Sequence, residues 1–105
     1  MIENELPETH FETQFEVWRC SSLKAILQLA AEEDQEKLMC LNFASAKNPG
    51  GGIFSGSMAQ EESIAYVSTL YHSLITSDMY KINSTNPRKG LYNNIAIYTN
   101  EICIF

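Results

Sequence analysis

No apolar run in this chain approaches the roughly 20 residues needed to span a bilayer. The stretch 1–7 carries acids where a secretory leader has a basic region followed by an apolar one. A secreted or membrane-spanning protein is therefore not expected, and the chain reads as soluble and intracellular, cytoplasmic or, in a eukaryote, nuclear. Basic residues are scarce, seven against thirteen acidic ones for a net charge of -6. That balance excludes broad adhesion to DNA, RNA or anionic membrane, so any anionic ligand has to be gripped locally. The three cysteines, Cys20, Cys40 and Cys103, are odd in number and widely spaced, with no CxxC or Cys/His cluster at metal-site spacing. They read as reduced and mostly buried thiols. Internal repeats, low-complexity tracts and domain linkers are also missing, and 105 residues can build only one core.

What is present is ordinary globular material, 45% hydrophobic and 19% charged. After a polar lead-in over residues 1–14, Phe15-Glu16-Val17-Trp18 alternates as a short half-buried strand does, and Ser21-Ser22 offers a helix cap. Leu23, Ile26, Leu27, Ala30 and Ala31 then fall at helical spacing. Glu32-Glu33-Asp34 is unfavourable near a helix C-terminus, so the helix is expected to end there, with a turn over 34–37. The nearly unbroken apolar run 38–44 has the pattern of a central parallel strand covered on both faces, completing a βαβ unit. A glycine-bearing loop over 45–57 follows. Ile64, Val67, Leu70, Tyr71 and Leu74 mark a second amphipathic helix, and Ser57 with Gln60 has the form of a capping box at its start. Residues 78–89 read as an exposed connection, and 94–105 as two strands around a Thr99-Asn100 turn. The chain stops at Ile102-Cys103-Ile104-Phe105, where an apolar strand ordinarily runs on into a polar turn. Only two helices are available to cover the sheet. The ending therefore reads as a truncation on the C-terminal side, leaving surface for self-association or for a complementary chain.

The chemistry-bearing segment is Asn48-Pro49-Gly50-Gly51-Gly52 with Gln60-Glu61-Glu62. Glycines at the C-terminal end of a central strand sit where open α/β sheets place ligands. Without Cβ atoms, such a backbone approaches a sugar or pyrophosphate closely and aims N–H groups at it. Two carboxylates in the first turn of the following helix would then stand beside that loop. Each part also has a plainer reading. Glycine triplets serve as flexible loops, first-turn acids complement the helix dipole, and Gln60 closes a capping box. His10 and His72 have no Cys or Ser nucleophile nearby. Trp18, Phe43, Tyr66 and Tyr71 read as core or groove aromatics, and Arg88-Lys89 as a solvated pair.

The string Leu41-Asn42-Phe43-Ala44-Ser45-Ala46-Lys47-Asn48-Pro49-Gly50-Gly51-Gly52, followed by Ala59-Gln60-Glu61-Glu62-Ser63, resembles the signature of microbial-type poly(ADP-ribose) glycohydrolases. That signature is a glycine triplet, six to eight residues, then Gln-Glu-Glu. Ser68-Thr69-Leu70-Tyr71, Ser73-Leu74 and the segment 98–105 are similar to the same family. The resemblance implies an α/β fold, a macrodomain-like mixed sheet with flanking helices, occupying 15–105 as a partial catalytic region. It implies hydrolysis of the ribose-ribose O-glycosidic bond of poly(ADP-ribose), releasing ADP-ribose, with neither metal nor other cofactor. Glu62 would be the acid catalyst, kept protonated by burial and by the carboxylate next door, against the pull of the helix N-terminus. Glu61 would hydrogen-bond the ribose and Asn48 position it. Gly50, Gly51 and Gly52 would line ribose and pyrophosphate, with Gln60 beside them in the substrate-binding segment. The alternatives are a non-catalytic ADP-ribose-binding module and an inactive fragment of a truncated glycohydrolase. The family's second glycine-rich diphosphate loop and adenine-stacking aromatic have no counterpart here.

Overall fold

A computed structural model describes residues 12–32, 38–88 and 90–105. Most of the polar lead-in, the turn assigned to 34–37, and Lys89 lie outside them. The ordered elements are helical: α1 (Ser22–Ala30), a 3₁₀ turn (Ile53–Ser55), α2 (Gln60–Ala65), α3 (Leu70–Leu74) and α4 (Met79–Ser84). Among the described residues no helix is long and apolar enough to cross a membrane.

The start of α1 is as the sequence indicates. Ser21 is the N-cap, its Oγ accepting from the Lys24 N–H at 3.1 Å, which satisfies one of the orphan donors of the first turn. α1 buries no residue completely, and it reaches the core through Ile26. That core is small: Ile64, Ala65, Leu70, Leu74, Met79 and Tyr80 from α2, α3 and α4, edged by Ile26, Ile53, Ile97 and Ile102.

The expected mixed sheet is not there. Among the described residues no strand forms, and the sole β-type pairing is an isolated antiparallel bridge between Ser68 and Ile104. Apolar patterning specifies which faces want cover, whereas a strand also needs neighbours hydrogen-bonded about 4.8 Å to either side. Those neighbours are lacking among the described residues. Phe15 and Val17 are 91% and 100% exposed, and in the run 38–44 Met39, Leu41 and Phe43 are 74%, 74% and 69% exposed. The closing segment does not form a hairpin. Instead it docks against Val67, Ser68 and Thr69, with Thr69 N–H donating to the Cys103 carbonyl at 2.9 Å and Phe105 N–H to the Val67 carbonyl at 2.8 Å. The three cysteines are exposed rather than buried, and burial of part of the Cys40 side chain pushes its thiol pKa up.

The second helix is two. Ser68 interrupts it: its Oγ donates to the Ile64 carbonyl at 2.7 Å and accepts from the Leu70 N–H at 3.2 Å. This is the local competition by which Ser and Thr unsettle helix interiors. Residues 78–89, expected as a connection, contain α4, which buries Met79, Tyr80 and Asn83.

Candidate active site around the glycine triplet

The glycine loop is shaped by its own turn chemistry. Ser45 opens it, its Oγ accepting from the Asn48 N–H at 3.1 Å. Gly51 N–H then donates to the Asn48 carbonyl at 2.8 Å, and Gly50 between them has φ +74°. A proline followed by a residue at positive φ, closed by a bond between the flanking residues, is the pattern of a type II turn. Pro49 supplies the fixed φ and Gly50 the left-handed conformation. Gly51 is left-handed as well, at φ +62°.

Two carboxylates hold this loop. Glu61 Oε1 accepts from the Gly50 N–H at 3.0 Å, and its Oε2 from the Ser45 N–H at 2.7 Å. Glu62 Oε1 accepts from the Gly52 N–H at 2.9 Å. Both side chains are buried, at 3% and 6% exposure, and a buried carboxylate is tolerated only when hydrogen-bonded in this way. The approach is too close for any side chain on Gly51, whose Cβ would stand 2.6 Å from Glu62 Oε1 and 3.3 Å from Glu61 Oε2. The triplet is therefore neither a loose loop nor a mere spacer, since its backbone is fitted to the two acids.

The electrostatics differ from the sequence-based expectation for Glu62. Its pKa lies below the ordinary 4.5, because the Gly52 N–H and its own N–H at the start of α2 favour the charged form more than burial opposes it. In the ligand-free protein Glu62 is thus ionised at neutral pH.

The side chains of Gln60 and Asn48 take no part in the hydrogen bonds that join the triplet to the two acids. Gln60 does not close a capping box: the N-cap of α2 is Ala59, without a side-chain bond. The Gln60 amide instead accepts from the Phe43 N–H at 2.8 Å and donates to the Leu41 carbonyl at 2.8 Å and to Ser22 Oγ at 3.3 Å. It occupies the edge of the extended run as a neighbouring strand's peptide would. Asn48 contributes its carbonyl to the turn, while its side chain is exposed and makes no hydrogen bond among the described residues.

Other contributors were not legible. Ser45 anchors the loop at its first residue. Tyr66 Oη donates to the Ile53 carbonyl at 2.8 Å, steadying the 3₁₀ turn after the triplet, and the ring of Phe54 meets that of Tyr71 edge-on at 5.2 Å. Asn83 Nδ2 donates to the Ala46 carbonyl at 2.8 Å, tying α4 to the loop. Met79, Tyr80 and Asn83 stand at helical spacing, a signal for α4 that lies among Asn, Ser and Pro residues.

Neither a curated protein nor a solved structure matches the chain. A family model for the catalytic domain of microbial-type PARG, the poly(ADP-ribose) glycohydrolases, matches residues 1–105. With its glycine triplet and paired acids arranged as one unit, the chain belongs to the microbial-type PARG catalytic-domain family.

Proposed function

We propose that the chain acts on poly(ADP-ribose), hydrolysing the ribose-ribose O-glycosidic bond with Glu62 as the acid. Water adds to the anomeric carbon, the bond to the leaving ribose oxygen breaks, Glu62 supplies the proton that this oxygen takes up, and the proton released by the attacking water passes to solvent, from which Glu62 is protonated again. The observation that carries the reading is the joint placement of Glu61 and Glu62 against the N–H groups of the glycine triplet, in a chain of the PARG family. Gly50, Gly51 and Gly52 line the ribose and diphosphate in this reading, Asn48 reaches the ribose from the exposed side, and Glu61 sets the loop's shape and meets the ribose once ligand loosens it.

The lowered pKa of Glu62 has a consequence. A general acid must carry its proton when the bond breaks, so the complex has to raise that pKa. A substrate phosphate near the carboxylate and the exclusion of water both act in that direction. The Gly52 N–H bond also favours a second role, in which ionised Glu62 activates the water or stabilises an oxocarbenium-like sugar. The two roles part in their pH profiles, because kcat/KM reports the free enzyme. If Glu62 is the acid, kcat/KM rises as pH is lowered from 7 toward 4.5. If it is the base, kcat/KM is level over that range and falls below it. Release of ADP-ribose from the polymer, followed by chromatography across this range, tests the activity and the role together. A protein that binds ADP-ribose and releases none from the polymer is a reader instead.

A further inference from the structure

Phe54 stands apart from the other exposed apolar residues. Phe15 and Leu41, for example, lie on segments without strand neighbours among the described residues, whereas Phe54 is the middle residue of the 3₁₀ turn that leaves the glycine triplet. That turn is pinned. The Gly52 carbonyl accepts from the Ser55 N–H at 3.0 Å, the Ser57 N–H at 3.1 Å and Ser55 Oγ at 3.1 Å, and the Ile53 carbonyl accepts from Tyr66 Oη at 2.8 Å. The Phe54 ring meets that of Tyr71 at 5.2 Å and 86°. Tyr71 in turn packs against the triplet, its Cδ2 3.2 Å from where a Gly50 Cβ would stand. Even so, Phe54 is 83% exposed. A ring fixed by its own turn and still open loses little freedom when a flat apolar group covers it.

The proposed reaction brings such a group to this end of the loop. Glu62 Oε1 accepts from the Gly52 N–H at 2.9 Å, and Gly52 precedes Phe54 by two residues, at most about 7 Å between Cα atoms. The oxygen that takes the proton from Glu62 belongs to the ribose of the next unit of the polymer, and the adjoining carbon of that ribose carries an adenine. Acid and ring therefore stand within one nucleoside's reach of each other. We propose that Phe54 is a substrate-binding residue that stacks on the adenine of the leaving unit, across the scissile bond from the unit held by the triplet. The site thereby favours polymer over single ADP-ribose units. The inference rests on the reading that Glu62 serves the leaving oxygen.

Phe54→Ala and Phe54→Trp test this through kcat and KM for poly(ADP-ribose), an ADP-ribose titration and a thermal melt. One base stacked on one aromatic ring corresponds to about a tenfold loss of kcat/KM in Phe54→Ala, taken mainly as a higher KM. Free ADP-ribose fills only the retained side, so its affinity is expected to match the parent's. Phe54→Trp keeps a π-face and is expected to keep the parent's kcat/KM. Both melts are expected to stay near the parent's, because the ring is mostly exposed. Parental kcat/KM in Phe54→Ala overturns the proposal and leaves the proposed function standing. A parallel loss of ADP-ribose affinity also overturns it, since the ring would then serve the retained unit, and so does a lowered melt that accounts for the loss of rate. A parent protein that releases no ADP-ribose overturns both.

Discussion

At the scale of single residues, Glu62 has a role in the fold and, in the proposed reaction, a second one in the chemistry. Its pKa is lowered in the folded state. Its contribution to stability is therefore present above the ordinary carboxyl pKa and is lost as pH falls through the lowered one. Thermal melts should shift downward below about pH 4.5, and Glu62→Gln should flatten that dependence while lowering the melt near neutral pH, where the carboxylate's contribution is present. Gly51 is the other residue with a sharp expectation. At φ +62°, with a Cβ position 2.6 Å from Glu62 Oε1, Gly51→Ala costs about 1–2 kcal/mol for the left-handed conformation alone, and more for the displaced carboxylate. Both the melt and the ADP-ribose titration should suffer, and a variant with the parent's melt would contradict the described geometry. Much of the site was readable because its logic is local. A triplet, an interval and two acids suffice to put carboxylates beside a backbone without Cβ atoms. What was not readable is how three N–H donors would be divided among four carboxylate oxygens, and that division makes Glu62 anionic in the free protein.

Secondary structure was legible where side chains satisfy their own neighbourhood, and illegible where distant partners decide. Ser21 caps α1 through a bond three residues away, so the sequence sufficed. The helix expected over Ile64, Val67, Leu70, Tyr71 and Leu74 breaks because the Ser68 hydroxyl and the closing segment compete for its backbone groups. Ser68→Ala should cost about 1–3 kcal/mol in the melt, since the buried Leu70 N–H and Ile64 carbonyl lose a shared partner. A neutral substitution would mean that α2 and α3 are separated by something other than this hydroxyl. The mixed sheet failed as an expectation for the same reason. The run 38–44 announces apolar faces, but its pairing partner along Leu41 and Phe43 is one side-chain amide, that of Gln60, seventeen or more residues distant.

For the whole molecule, the decisive fact is how much apolar surface faces outward. A core of six residues coexists with Phe15, Val17, Met39, Leu41, Phe43, Phe54, Met58, Leu91, Tyr98 and Phe105 at 68% exposure or more. Exposed apolar surface on this scale tends to associate, so the isolated chain should form oligomers or aggregates in light scattering. Leu41→Asp combined with Phe43→Glu should reduce that association, and a monodisperse parent would show that these side chains find cover within the chain. The central claim is catalytic, and rests on Glu62 in its place beside Gly51 and Gly52. It is tested most directly by the single-residue comparison of ADP-ribose release from poly(ADP-ribose) by the parent and by Glu62→Gln, both checked by circular dichroism for equal folding. The account predicts a loss of about 10²- to 10⁴-fold, the usual contribution of a general acid or base. Equal rates in the two proteins would contradict it.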